Sequence, residues 1–269
     1  MLQKYEGIVI RTSDYGESDK VVVVYSKEAG KIAGMARGAK KTNSRLASST
    51  QPFTNGYYVV HTSRGLGGMR QAEIIQSFRG IREDIFKTAY AAYIVELLDR
   101  STGEKEKNSF LYELVLQTLQ YIDEDYDPDI ITNIFEMKML NVLGIYPELQ
   151  KCVLCGNTEA QFGYSIKENG LLCHQCFERE PYFLRVSQQT IKLLRVFYFF
   201  DLNRLGNISV KQTTKDELKR VIDMIYDEYS GLYLKSKKFL KQVDHLREHL
   251  PTPERKTPTK NNEEQRLEE

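Results

Sequence analysis

Short runs of hydrophobic residues, many of them β-branched, recur along the first 80 positions of the chain. Such runs are typical of β-strands where turn-forming residues separate them. Five strands are predicted on this basis, over residues 6–12, 20–26, 31–36, 56–62 and 69–78. Five short strands with no helical period among them favour a small closed barrel over an open sheet.

From Arg82 onwards the hydrophobic residues recur at the spacing of a helix. A first helix is predicted to end near Gly103. Asn108 and Asp127 precede two further helices and are the predicted N-caps, since short polar side chains accept hydrogen bonds from first-turn amides. The remaining helices are predicted over residues 188–202, 214–229 and 232–249. The chain is therefore expected to be an α+β multidomain protein, with an amino-terminal β barrel followed by an α-helical domain.

Composition refines this division and excludes two classes of protein. We expect a barrel domain over 1–80 and a helical domain over 81–250, with a four-cysteine insert at 151–176. Residues 251–269 hold three prolines and almost no apolar residue, and are predicted to form a disordered tail. A hydrophobic share of 41% excludes a chain that is disordered throughout. No apolar run approaches the roughly 20 residues of a membrane helix, and the charged amino terminus is unlike a signal peptide, so we expect a cytoplasmic protein.

The net charge of +1 conceals a strong asymmetry along the chain. Residues 1–80 carry a net +6, residues 81–150 a net −8 and residues 151–269 a net +3. The segment 29–72 contains seven basic side chains and no acidic one: Lys31, Arg37, Lys40, Lys41, Arg45, Arg64 and Arg70. Like charges without counter-charges attract a phosphate backbone. These seven residues are the predicted nucleic-acid contacts, and the alternative is a solvated basic loop.

Three aromatic residues lie within the basic segment. Phe53, Tyr57 and Tyr58 are candidate surfaces on which unstacked bases rest. Tyr57 and Tyr58 point to opposite faces of a strand, so at most one of the two can stack. For each of these aromatic residues taken singly, a place in the barrel core is the favoured interpretation.

The cysteines give the most specific motif, with the spacing C-x2-C-x17-C-x2-C. The predicted ligands are Cys152, Cys155, Cys173 and Cys176. This spacing matches structural four-cysteine zinc sites, and the intervening residues 162–166 and 170–172 are expected to form the hairpin of a zinc ribbon. Four thiolates leave no position for a reacting water, so we predict one structural Zn²⁺ ion and regard His174 as a bystander. The alternative is four reduced, buried thiols.

Motifs for enzymatic chemistry are missing from the sequence. There is no P-loop, no dinucleotide fingerprint, no G-x-S-x-G and no H-E-x-x-H, and the chain has only four histidines. A zinc deaminase needs a His-x-Glu sequence, which is also missing. We therefore predict a protein that is not an enzyme. A metal-dependent nuclease or deaminase would need an open metal site that the cysteine pattern does not provide.

Five short motifs recur in a fixed order along the chain: residues 7–20 (GIVIRTSDYGESDK), 30–32 (GKI), 36–41 (ARGAKK), 51–53 (QPF) and 231–240 (GLYLKSKKFL). Taken together, these motifs resemble the RecO family of bacterial DNA repair proteins. The order of the matching parts agrees over about residues 1–242. The resemblance implies an OB-fold amino-terminal domain and a helical domain that carries a zinc module. It assigns a DNA-binding role to Arg37, Lys40 and Lys41, and the zinc role to the four cysteines.

The same resemblance implies a DNA-binding recombination mediator. Such a protein anneals complementary single strands and helps RecA load onto DNA covered by single-strand DNA-binding protein, without nucleotide hydrolysis. The implied partners are single- and double-stranded DNA, RecR, single-strand DNA-binding protein, RecF and RecA. The expected location is cytoplasmic and nucleoid-associated. We hypothesise that the acidic segment 81–150 repels DNA or docks a protein. The alternative function is a zinc-ribbon scaffold that binds RNA or acidic proteins.

Overall fold

The computed structural model describes residues 1–61, 66–199, 201–202, 205–206 and 208–249. The predicted DNA contact Arg64 and the predicted disordered tail over 251–269 lie outside the described residues. None of the described helices is both long and apolar enough to cross a membrane.

Five strands close the barrel that the sequence predicts. They are β1 (Leu2–Tyr15), β2 (Asp19–Ser26), β3 (Gly30–Ala36), β4 (Asn55–His61) and β5 (Gly67–Gln76). They pair in the order β1-β2-β3-β5-β4, and β4 returns to β1. All pairs are antiparallel except β3–β5, which pair in parallel over three residues. This is the topology of an OB-like barrel.

β1 extends beyond the predicted strand at both ends. Its first half, from Leu2, pairs with β4, and its second half, up to Tyr15, pairs with β2. A bulge between Val9 and Arg11 bends the strand between these two partners. Most of the added residues are polar and exposed, so the hydrophobic pattern does not include them. Backbone pairing with β4 and β2 places them in the sheet.

Both faces of β2 are buried. Val22 and Val24 point into the barrel together with Tyr58. Val23 and Tyr25 point outwards and join the core that the barrel shares with the helices. A strand that is covered on both sides has no polar face, which explains its unbroken apolar run. The helical domain therefore occupies this side of the barrel, and a nucleic-acid surface must lie elsewhere on it.

Seven α-helices and a second small sheet follow the barrel in the described residues. The helices are α1 (Arg79–Glu83), α2 (Ile85–Ser101), α3 (Ser109–Asp123), α4 (Pro128–Val142), α5 (Gln188–Phe199), α6 (Gln212–Tyr229) and α7 (Lys235–His249). Between α4 and α5 lie the antiparallel strands β6 (Phe162–Ser165) and β7 (Gly170–Cys173), and a 3₁₀ helix, His174–Arg179. The predicted fold class, an OB-like barrel followed by a helical region with a cysteine-bearing hairpin, is confirmed.

Both predicted N-caps are confirmed. The Asn108 side chain accepts a hydrogen bond from the Leu111 amide, and Asp127 caps α4 in the same way.

The short helix α1 was not predicted. The last barrel strand was predicted to continue to Phe78, but β5 ends at Gln76 and α1 begins at Arg79. Phe78 adopts a left-handed backbone conformation, with φ of 46°, while its side chain is buried. Local propensity does not favour that conformation, so packing of the ring must impose it.

One carboxylate lies buried between helices α2 and α4. Glu136 on α4 is 6% exposed and accepts a hydrogen bond of 2.5 Å from the Tyr93 hydroxyl on α2. Burial raises the pKa of Glu136 to about 7, although Tyr93 and the charge of Lys237 favour the ionised form. At neutral pH this carboxyl therefore destabilises the fold when it loses its proton.

Glu136→Gln is expected to stabilise the protein at alkaline pH. Between the ordinary pKa of 4.5 and the folded value of about 7, the native state binds more protons than the unfolded state, so the free energy of unfolding falls as pH rises. The amide stays neutral and its oxygen still accepts from Tyr93. The variant should exceed wild type by on the order of 3 kcal/mol above pH 7, and the difference should shrink towards pH 4.5. Urea unfolding across this range measures it, and a constant difference would contradict the assignment.

Candidate nucleic-acid interface and metal centre

The turn that follows β3 is held in place by the adjacent turn between β1 and β2. Gly38 sits at its centre with φ of +66°, and its amide donates a hydrogen bond of 2.7 Å to Asp19 Oδ1. That bond, with the charges of Arg37 and Lys41, holds the pKa of Asp19 below its usual range. The Lys40 amide bonds the carbonyl of Ser18 at 2.9 Å. The basic residues of this turn therefore extend from a fixed backbone.

Arg37 and Arg70 lie side by side at the parallel pair of strands. Ala36 on β3 is in register with Met69 on β5, so the two arginines follow directly on neighbouring strands. A bulge in the β4–β5 ladder leaves Arg70 without a partner on β4, and bulges of this kind redirect a side chain. Both arginines line one small pocket of about 190 Å³ together with His61. Among the described residues, none that lines this pocket is a carboxylate.

The loop between β3 and β4 carries two further exposed cations, Lys41 and Arg45. The loop is fixed from inside, because Leu46 packs against the barrel core and the Tyr58 hydroxyl donates to the Ser49 carbonyl at 2.9 Å. These anchors hold the loop against the barrel, and its basic side chains stay exposed. We call Arg37, Lys41, Arg45 and Arg70 the barrel cationic surface.

Lys31 and Lys40 are placed differently from these four residues. The Lys31 side chain is only 12% exposed, and its ammonium contacts the Asp99 carboxylate at 3.1 Å and the Asp99 carbonyl at 2.6 Å. Asp99 belongs to α2, so Lys31 joins the barrel to the helical domain. Lys40 forms an ion pair of 3.0 Å with Asp14, whose side chain is 65% exposed. Among the described predicted contacts, these two therefore form direct ion pairs with carboxylates.

The counter-charges come from outside the basic segment. Asp14 lies near the end of β1, Asp19 is the first residue of β2, and Asp99 lies on α2. A count of charges within 29–72 cannot detect them, because strand pairing and domain packing bring them in from distant positions. His61, which lines the pocket of Arg37 and Arg70, was not among the predicted nucleic-acid contacts. A single histidine at the end of a strand has no sequence signal of its own.

The aromatic residues largely fill the core, as favoured from the sequence. Phe53 is 6% exposed and Tyr58 is fully buried. Tyr57 is half-buried on the outer face, with the Lys4 ammonium 4.1 Å from its ring centroid. The prediction that at most one of the two tyrosines can stack a base is therefore consistent with their opposite orientations.

The four cysteines converge on one point. Their Sγ atoms all lie within 4.8 Å of one another, and Cys155 Sγ is 3.5 Å from Cys173 Sγ. The β6–β7 hairpin, predicted from the sequence, carries the second pair towards the first. Gly156 follows the first pair with φ of +75°, which lets its amide bond the Cys152 carbonyl at 2.9 Å. Four tetrahedral thiolates around one zinc ion lie about 4 Å apart, so this cluster is of the right size to hold a metal ion.

The surroundings of the thiols fit a cation. Cys152, Cys173 and Cys176 are buried, whereas Cys155 is exposed. Burial raises the pKa of Cys152, but the amides of Cys173, Cys155 and Leu154 outweigh it and lower the value to about 6. Burial and the neighbouring thiols raise the pKa of Cys176 to about 12. A bound cation would favour the thiolate form of all four, because metal ligands must be deprotonated.

His174 is exposed and is not part of the cluster. Its backbone amide bonds the Gln161 carbonyl at 2.9 Å, which orients the chain at the end of the hairpin. The expectation that this histidine is a bystander is consistent with that position.

Much of the acidic charge of segment 81–150 is already used within the fold. Glu113 pairs with Lys27 on the barrel, and Asp127 pairs with Lys215. Glu96 accepts hydrogen bonds from the first amides of α7. The net charge of −8 therefore overstates the field that this segment presents to solvent.

Comparisons with known proteins agree over nearly all of the chain. The family model described as "Recombination protein O N terminal" matches residues 1–78, and "Recombination protein O C terminal" matches residues 82–238. The DNA repair protein RecO of Bacillus subtilis (strain 168) is 55% identical over 247 residues, which cover 92% of this chain and 97% of the relative. The DNA repair protein RecO of Listeria monocytogenes serotype 4a (strain HCC23) is 55% identical over 243 residues, or 90% and 95% of the two chains. With two family models and relatives of this identity in agreement, the chain belongs to the RecO family, whose named members are DNA repair proteins.

Proposed function

We propose that this chain is a non-enzymatic mediator of recombination in DNA repair, and that its barrel cationic surface binds single-stranded DNA. The observation that carries the proposal is the pocket shared by Arg37 and Arg70, whose described lining residues include no carboxylate. Each guanidinium group presents several N–H donors in its own plane, and phosphate oxygens accept such donors in pairs. Lys41 and Arg45 extend the surface along the neighbouring loop.

Strand annealing follows from this surface without nucleotide hydrolysis. Two complementary strands repel each other until cations neutralise their phosphates, and their bases must remain free to pair. The barrel cationic surface neutralises phosphates, which meets the first condition. Phe53 and Tyr58 are buried and cannot stack on bases, which leaves the bases free to pair. We therefore propose that the protein anneals complementary single strands. We also propose that it helps RecA load onto DNA covered by single-strand DNA-binding protein, with RecR and RecF as further partners.

The seven predicted DNA contacts take different roles in this proposal. Lys31 joins the barrel to α2, because its ammonium pairs with the Asp99 carboxylate and donates a hydrogen bond to the Asp99 carbonyl. Lys40 lies at the edge of the surface, where a phosphate can compete with the exposed Asp14. Arg64 stays a prediction. Binding to double-stranded DNA and a nucleoid-associated cytoplasmic location also stay predictions.

We propose that the cysteine cluster holds one Zn²⁺ ion with a structural role. Zinc is the divalent ion that protein sites with four thiolates at this spacing typically bind. When bound, it would link the loop at Cys152 to the end of the β6–β7 hairpin. Its four thiolate ligands would complete the tetrahedral shell and leave no position for a reacting water.

Removing the two pocket arginines should weaken DNA binding and its dependence on salt. For Arg37→Ala/Arg70→Ala, the slope of log K against log salt for single-stranded DNA is expected to become shallower by about 1.4, because each phosphate contact contributes about 0.7. Fluorescence anisotropy with a labelled oligonucleotide, titrated at several salt concentrations, measures this slope.

A matched control removes two exposed lysines from the helical domain, in Lys192→Ala/Lys211→Ala, which makes the same change in net charge. The control should keep the wild-type slope. If both variants show an equally shallower slope, the effect arises from net charge alone. That result would contradict a DNA-binding site on the barrel. Sequence-selective RNA binding with no effect on strand annealing would instead favour the scaffold function.

A further inference from the structure

The last helix presents a row of cations to solvent. Lys235, Lys238 and Lys241 are exposed and recur at a spacing of three residues, which places them on one side of α7. Just before the helix, the Tyr233 side chain is 64% exposed, and the Lys238 ammonium lies 5.2 Å from its ring centroid. We call these four residues the α7 lysine face.

The rest of α7 is fixed against the helical domain. Leu240 and Val243 enter the shared core. Lys237, which lies between the exposed lysines in sequence, pairs with Asp223 at 2.8 Å and Asp227 at 3.6 Å. The fold therefore neutralises the lysine that faces α6 and leaves its three neighbours exposed.

The charges of the first turn of α7 oppose its helix dipole. The amino-terminal end of a helix carries partial positive charge and favours acidic side chains. The first turn of α7 contains no acidic residue, but it contains Lys235, Lys237 and Lys238. Glu96 from α2 compensates in part, because its carboxylate accepts bonds from the Lys235 and Ser236 amides. Lysines in the first turn of a helix are electrostatically unfavourable, and Glu96 offsets this only in part. Unfavourable local sequence choices of this kind are expected at functional sites.

We propose that the α7 lysine face is a second nucleic-acid site, which holds the second single strand while the barrel holds the first. Lys235, Lys238 and Lys241 contact its phosphates, and the Tyr233 ring stacks on a base. This inference rests on the proposed function, since annealing requires two strands on one protein or on neighbouring copies.

The exposed ring favours a single strand over other polyanions. Unstacked bases offer flat faces to an aromatic side chain, and cations beside that ring hold the adjoining phosphates. An acidic protein would be attracted by the lysines alone and would gain little from Tyr233. A hydrogen bond with Lys238 and the charges of Lys238 and Lys235 lower the pKa of Tyr233.

The test measures whether the full-length protein holds two strands at once. Two non-complementary oligonucleotides with donor and acceptor dyes are added to the zinc-loaded protein, and energy transfer reports joint binding. Lys235→Gln/Lys238→Gln/Lys241→Gln should reduce joint binding at least about fivefold and make its salt slope shallower by about 2, since three phosphate contacts are lost. Binding of a single oligonucleotide at low concentration should stay within about twofold of wild type.

A control with the same loss of charge is Lys107→Gln/Lys192→Gln/Lys211→Gln, three exposed lysines outside α7. It should retain wild-type joint binding. Equal joint binding in both triple variants, or a wild type that never holds two strands, would overturn the second site. Loss of joint binding only in the α7 variant supports it. If Arg37→Ala/Arg70→Ala leaves single-strand binding unchanged, the proposed function itself fails, which is a separate result.

The ring is tested by Tyr233→Leu, which removes the aromatic face and keeps the lysines. Joint binding should weaken while its salt slope stays unchanged, because stacking releases no counterions. Tyr182→Leu, at a tyrosine that is 89% exposed elsewhere, is the matched control. If Tyr233→Leu binds two strands as well as this control, no base stacks on Tyr233. If the α7 lysine variant loses binding to an acidic peptide and keeps both strands, the face serves a protein and the proposal is wrong.

Discussion

Cys152→Ser is expected to abolish metal binding and to unfold the segment around the cysteine cluster. The serine hydroxyl is a poor replacement for a thiolate, and the remaining ligands cannot close the shell. Binding of a structural zinc ion contributes on the order of 10 kcal/mol to the folding of small zinc modules. We expect zinc per chain, measured by mass spectrometry, to fall from one to none. Hydrogen exchange should accelerate over residues 148–184.

The same variant should leave DNA binding by the barrel nearly unchanged, because no metal ligand lines the Arg37–Arg70 pocket. His174→Ala is the matched control, since this exposed residue lies next to Cys173 and outside the cluster. The control should keep its zinc. An unchanged zinc content in Cys152→Ser, or equal loss in both variants, would contradict the proposed metal site.

Asp99→Ala is expected to destabilise the protein by about 3 kcal/mol. The substitution leaves the Lys31 ammonium buried at 12% exposure with a backbone carbonyl as its remaining partner on α2. It also releases Arg11, whose Nε lies 3.2 Å from the other Asp99 oxygen. A buried charge without a counter-charge costs far more than an exposed one. Chemical unfolding, followed by circular dichroism, measures the loss.

Lys31→Met tests the same contact from the other side. This variant removes the cation and keeps an apolar chain of similar length, so its stability loss should be clearly smaller than that of Asp99→Ala. Its affinity for single-stranded DNA should equal that of wild type. A loss of affinity comparable with that of Arg37→Ala would return Lys31 to the DNA surface and contradict the junction role.

The sequence was most informative where structure depends on local pattern. Asn108 and Asp127 are N-caps, as predicted, because a capping side chain bonds amides only two or three residues away. The cysteine cluster followed from spacing, since two C-x-x-C turns each bring two thiols together. The closed barrel followed from the number and brevity of its strands.

Features that depend on long-range packing could not be predicted. The ion pair of Lys31 with Asp99 joins residues 68 positions apart, and no window along the chain connects them. Arg37 and Arg70 become neighbours only through the parallel β3–β5 pair, whose register the hydrophobic pattern leaves open. The left-handed conformation of Phe78, which ends the barrel before α1, is imposed by burial of its ring.

The barrel cationic surface is proposed to bind single strands so that they can pair. The most direct test of this claim is the annealing of complementary oligonucleotides covered with single-strand DNA-binding protein, without nucleotide. Wild type should accelerate annealing, Lys192→Ala/Lys211→Ala should match it, and Arg37→Ala/Arg70→Ala should lose at least about tenfold in rate. Equal annealing by the arginine variant and wild type would contradict the claim.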